Sequence, residues 1–337
     1  MIETPPPEPP PGARPDPRSG SRTGRCPDPV PADPALIHGV GDRAVAWLHR
    51  HRDGFHPRPE SDTSDREVRD RLKPIGELAL IGKVLFREGV AGSRQAARSR
   101  QLLDHAWREQ LDGGRLLAWM QREEPLSPIP FEIYVPFREL GYSSPEVEEN
   151  ARLTHRLNSW AALEALPVRR LGLAAFERRF GLPPSIDPGE AVGATWLGRL
   201  PEPWTVGLHI GYGITHTVFH LTDWGENPDG LPAEIAEYLA RWLPAWTDDW
   251  LEIGHWDLLG ELLVVDACLP RPALEDRVWR AFAAAQAPDG AMPAQGPLPE
   301  GDGREIFDEV YHSTLVAAFA SVLATSRAMG SLIGEPA

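Results

Sequence analysis

Residues 278–293 read VWRAFAAAQAPDGAMP. Apolar and helix-forming residues run up to Gln286, and the Asp289-Gly290 pair then stops the helix in a short turn. The same unit, a helix followed by a turn containing Pro or Gly and then another helix, recurs outward in both directions. Helices are expected from 232 to 246, from 247 to 268, from 273 to 287 and from 309 to 327. Nearer the N-terminus, Leu72, Ile75, Leu78, Ala79 and Gly82 recur every three to four residues, as do Leu102, Leu103, Ala106, Trp107 and Leu111. A first helix starts near Asp33 or Asp42, with Val45 and Leu48 on one face. Another runs from Ser144 or Pro145 to Trp160, with Ser144 as its cap. Residues 53–65 and the stretch SPIPFEIYVPF (127–137) read as loops, and Ser64 or Asp65 as a helix cap. No alternating strand pattern and no glycine-rich phosphate loop is found. The class is therefore all-α, and helix pairs of this kind stack into solenoids or close into α/α toroids.

The chain has 337 residues, 42% of them hydrophobic, which supports a substantial core. Residues 1–32 are rich in Pro and Arg and bury too little apolar surface to offset ordering entropy, so a disordered tail is expected there. A single helical domain is expected over 33–330. No apolar run of about 18 residues suggests a membrane span. The opening MIETPPPEPPPGARPDP has no signal-peptide core, so a cytoplasmic protein is expected. A formal charge of −15 argues against a nucleic-acid partner. Cys26 and Cys268 fit reduced thiols better than a disulfide.

The segment PEPWTVGLHIGYGITHTVFHLTDWGENPDG (201–230) is poor material for simple packing. His216 and His220 stand four apart, and Asp223 three further on, so one helix face would present two imidazoles and a carboxylate to a metal such as Zn or Fe. His209 and Tyr212 would serve beside them in acid–base roles. Satisfied core histidines, with Asp223 capping the next segment, are the plainer alternative. In EIGHWDLLGELLVVDAC (252–268), Asp257 and Glu261 share a helix face, and Glu261 lies among leucines. Buried, it would be a ligand or general base facing His216; exposed, the pair is a wetted stripe. His312, after Tyr311, is a further candidate ligand or a simple helix-start residue. The D-D-x-x-E run of Asp248, Asp249 and Glu252 reads as a helix-start cap.

Three resemblances bear on these residues. The turn Gln286-x-x-Asp289-Gly290 resembles the repeated turn of terpenoid cyclases and protein prenyltransferases, which implies an α/α-toroid-like domain with ligands in a central cavity. Tyr311-His312 resembles the Tyr-His of prenyltransferase β subunits, where the histidine binds zinc beside an Asp-x-Cys pair. Asp266 and Cys268 would be that pair here, at a shorter separation. The combination GITHTVFHLTDWG, DLLGELL, QAPDG and YHSTLV resembles an all-helical actinobacterial family found near natural-product gene clusters. That last likeness covers roughly residues 35–328 and implies one shared site.

The functional expectation is a metal-dependent enzyme of specialised metabolism acting on a small or peptidic substrate. Its metal ligands would be His216, His220, Asp223 and His312, with His209, Tyr212, Asp257 and Glu261 as catalytic groups. A metal-free acid–base enzyme of cyclase type is the second reading, its aromatic rings facing a cationic intermediate. A non-catalytic binding or scaffold protein is the third.

Overall fold

The computed structural model describes residues 30–56 and 65–333, with the side chains of 65–71 and 331–333 left aside. Among the described residues there are fourteen α-helices and no strand beyond an isolated bridge. They are α1 (Pro34–Arg50), α2 (Asp65–Glu88), α3 (Arg94–His105), α4 (Arg115–Glu123), α5 (Ile129–Glu139), α6 (Pro145–His155) and α7 (Asn158–Ala161). Then follow α8 (Pro167–Phe180), α9 (Pro188–Ala194), α10 (Leu208–Leu221), α11 (Ala233–Ile253), α12 (Trp256–Cys268), α13 (Asp276–Ala285) and α14 (Gly303–Ile333).

The Gln286 turn works as a clamp. Gln286 donates from Nε2 to the carbonyls of Val40 and Gly290, both at 3.1 Å, and accepts from Arg43 Nε at 2.9 Å. Gly290 has φ 104°, and a Cβ there would lie 2.2 Å from the Arg43 carbonyl, so only glycine lets this turn seat on α1. α14 is the core. Its small residues, among them Ser313, Ala317, Ala320, Ser321 and Ala324, are buried against α1, α2 and α12. Ser321 Oγ donates to the Ile37 carbonyl at 2.6 Å and accepts from Gly41 N at 3.0 Å. Its span Gly303–Gly330 is long and apolar enough to cross a membrane, but 78% of the apolar window is buried inside the protein. These packings establish an all-helical class.

Several boundaries differ from the sequence reading. Most of the expected tail lies outside the described residues, as do Cys26, Ser64 and much of the 53–65 loop. Residues 30–32 belong to the body: Ala32 N donates to Leu274 O, and Asp276 N to Val30 O, both at 2.8 Å. The segment 127–137, read as a loop, largely forms α5. Pro130 falls in its first turn, where no hydrogen-bond donor is needed. The helix expected over 145–160 is broken between α6 and α7. α11 runs past 246 to Ile253 with Pro244 on its exposed side, where the missing hydrogen bond costs least, and Gly254 at φ 70° ends it. Asp248, Asp249 and Glu252 therefore stand near the end of α11, not at a helix start, and Asp248 pairs with Arg277.

Candidate acid–base site

Two close helix approaches assemble the site. A Cβ on Gly211 would lie 2.9 Å from Leu258, and one on Gly260 2.7 Å from Val316, so α10 presses on α12 and α12 on α14. Along α10, His209, Tyr212, Gly213 and His216 follow the i, i+3, i+4, i+7 spacing of one face. That face lines a cavity of about 630 Å³ with Trp196, Arg169 and Arg199. His216 and Arg169 also line a second cavity of about 400 Å³, together with Lys73, Glu77 and Glu132.

Behind this face lies a cluster of carboxylates. Glu261, 2% exposed, accepts a hydrogen bond from Thr215 Oγ1 through Oε2. Its Oε1 stands 3.6 Å from His216 Nε2 and 3.5 Å from His312 Nε2. Asp257 accepts from the Tyr212 hydroxyl through Oδ2, and its Oδ1 lies 3.6 Å from His312 Nε2. On the other side of that ring, His312 Nδ1 lies 3.0 Å from Glu77 Oε2. Burial and the neighbouring Glu77 charge push the Tyr311 hydroxyl above the usual phenol range. Glu77 Oε2, Asp257 Oδ1 and His312 Nδ1 are buried without an aligned hydrogen-bond partner, although they face charged neighbours.

Burial alone would drive the His312 proton off, yet Glu77, Asp257 and the hydrogen bond to Glu261 outweigh it and hold the imidazole protonated well above its usual range. Burial also opposes ionisation of Glu261, but the His216 and His312 rings pull its carboxyl well below the ordinary value. Glu77 is lowered in the same way, with His312 overcoming its burial. Asp257 goes the other direction: burial, and then the Glu261 charge, raise it against the pull of His312. His312, with His216 beside Glu261, thus favours two ionised carboxylates, and the third favours its proton. Tyr212 is pushed up by burial and by Asp257, so it remains a phenol.

The structure divides the four expected metal ligands. His216 and His312 share Glu261. His220 turns the other way: a Cβ on Gly172 of α8 would lie 2.7 Å from its Nε2, and burial lowers its pKa well below the ordinary range. Asp223 does not continue the α10 face, because the helix ends at Leu221 and Asp223 adopts φ 47°. It pairs with Arg178 at 3.2 Å beside His220 in a separate cavity. Among the described residues, no group of three or more His, Cys, Asp or Glu side chains is arranged to hold a metal ion. The Asp266 and Cys268 pair does not join His312 either. Asp266 accepts from Ala273 N and Leu274 N, and Cys268 accepts from Thr222 while burial pushes its thiol up to about 11.

Asp257 and Glu261 are buried, and Tyr212 and His209 reach the larger cavity. His255, beside them in sequence, caps α12 by accepting from Leu258 N at 3.3 Å. Sequence reasoning missed Glu77, Arg169 and Trp196. Lys73 and Glu77 form an i,i+4 pair that reads as an ordinary wetted helix face.

No curated protein and no solved structure matches the chain. A family described as a domain of unknown function, DUF6895, matches residues 41–322, and the chain belongs to that family.

Proposed function

We propose that the protein is an enzyme of general acid–base type, acting on a small molecule in the larger cavity without need of a metal. The observation that carries this reading is the position of His216. Its side chain is 45% exposed, lines both cavities and has its Nε2 against the buried Glu261 carboxylate. An imidazole backed by a carboxylate and open to a chamber can take a proton from a bound molecule, and Glu261 then stabilises the imidazolium formed. The Tyr212 phenol, one turn away, is the matching proton donor once its hydrogen turns from Asp257 to the bound molecule, and Asp257, which favours its own proton, returns one to the phenolate. His312, fixed as a cation between Glu77 and Glu261, keeps Glu261 ionised. A chamber of this size suits a small organic molecule.

The test is turnover of a small-molecule extract followed by mass spectrometry, comparing wild type with folded His216→Gln and Tyr212→Phe variants. The reading expects at least one compound consumed by the wild type and left by His216→Gln. Equal turnover by His216→Gln would overturn it.

A second reading, a metal-dependent enzyme, is favoured by the three buried atoms without aligned partners in a cluster of histidines and carboxylates. It requires those side chains to rearrange around an ion. About one equivalent of Zn or Fe in protein purified without a tag, lost in a folded His312→Gln variant, would support it.

A further inference from the structure

The larger cavity has features that the acid–base chemistry does not use. Trp196 forms part of the wall and stays 51% exposed, so part of its indole surface is open to a bound molecule. Its five-membered ring comes close to α10 where Gly213 has no side chain, and a Cβ there would lie 3.0 Å from Trp196 Cδ1. Tyr212, Gly213 and His216 line the same cavity as Trp196, so the indole shares its chamber with the two proposed proton-transfer groups. Arg169 and Arg199 line the same chamber. Arg169 is committed to Glu132 at 2.6 Å. Arg199 has no ion pair among the described residues, in a chain carrying 34 basic against 49 acidic residues. Glu202 is the one carboxylate among the residues lining this chamber. Of the two arginines lining the chamber, Arg199 is thus the one whose guanidinium is open to a ligand, and its planar fork suits carboxylate recognition.

We infer that this cavity takes an organic carboxylate with a flat, apolar or aromatic body. The body stacks on Trp196, the carboxylate pairs with Arg199, and the intervening part of the molecule meets His216 and Tyr212. This names the substrate class for the proposed acid–base site and rests on that reading for its role in turnover. Binding itself does not depend on it.

The test uses two isosteric probes, 2-naphthoate and 2-naphthamide, titrated calorimetrically into the full chain, its Arg199→Gln and Trp196→Leu variants, and His216→Gln. Both substituted rim side chains are exposed, so circular dichroism should show the native helical signal. The naphthoate is expected to bind about tenfold or more tighter than the amide, the gain of one charge-assisted pair. Arg199→Gln should erase that difference, and Trp196→Leu should weaken both probes alike. Equal affinity of acid and amide for the wild type, no binding of either, or a preference unchanged in Arg199→Gln would overturn the inference. His216→Gln separates the two proposals. Retained carboxylate preference without any His216-dependent turnover leaves the ligand class standing and removes the acid–base role. Turnover without that preference does the reverse.

Discussion

Replacing Glu261 by Gln removes one charge from the buried cluster while keeping its shape and an acceptor for Thr215. The nearest cation is His312, 3.5 Å away. At an effective dielectric near 20, a unit pair at that separation attracts by about 5 kcal/mol. Loss of one partner from a buried ion pair costs about 3–5 kcal/mol once desolvation is included. Because Glu77 still faces His312, the lower end, about 3 kcal/mol, is expected. The deficit depends on pH in a defined sense. Glu261 is lowered from its ordinary 4.5, so its contribution is present above that value and lost as pH falls through the folded value. His312 is raised from 6.5, so its contribution is complete below 6.5 and lost as pH rises through the folded value. The difference between wild type and Glu261→Gln should therefore be largest between 4.5 and 6.5 and shrink as pH rises further. Urea unfolding at pH 5.5, 7 and 8.5 measures it. A deficit that is flat with pH, or below about 1 kcal/mol throughout, would refute the charged-cluster account.

Other substitutions test the scaffold. Gln286→Ala strands the carbonyls of Val40 and Gly290 and should cost about 1–3 kcal/mol in chemical denaturation. Gly260→Val drives side-chain atoms into Val316 and Phe282, and overpacking of about 1–3 kcal/mol should lower the melting temperature. His220 is kept neutral by burial, so its folded pKa lies below 6.5 and wild-type stability should fall as pH drops through that window. His220→Leu should lose that acid sensitivity, read by thermal scans between pH 7 and 5.

The fold was legible where local pattern decides. Asp33 caps α1 as its position suggests, and the buried residues of α1 recur at helical spacing. Pro-rich stretches misled because a proline is tolerated in a first helical turn, as at Pro130, and on an exposed helix side, as at Pro244. The α10 face was partly legible, since helical spacing alone puts His209, Tyr212 and His216 together. His220 fell outside the set because α8 closes on it at Gly172, a contact between helices that spacing does not encode. Asp223 fell outside because a helix end, not a helix face, decides its direction. The leucine neighbours of Glu261 left burial and a wetted stripe both open, and packing of α12 between α10 and α14 decides for burial. Glu77 could not be separated from a solvated stripe until α2 was seen packed on α14.

At the centre of the account, a partly buried imidazolium at His312 organises the carboxylates behind His216. Long-range proton–nitrogen NMR of ¹⁵N-histidine-labelled protein, with His312→Gln and His220→Leu for assignment, reads the ring protonation directly. The account predicts that at pH 7.5 both His312 nitrogens carry protons, that Glu261→Gln and Glu77→Gln each lower its pKa, and that His220 is neutral. A His312 ring found neutral at pH 6.5, or unmoved by loss of either carboxylate, would contradict it.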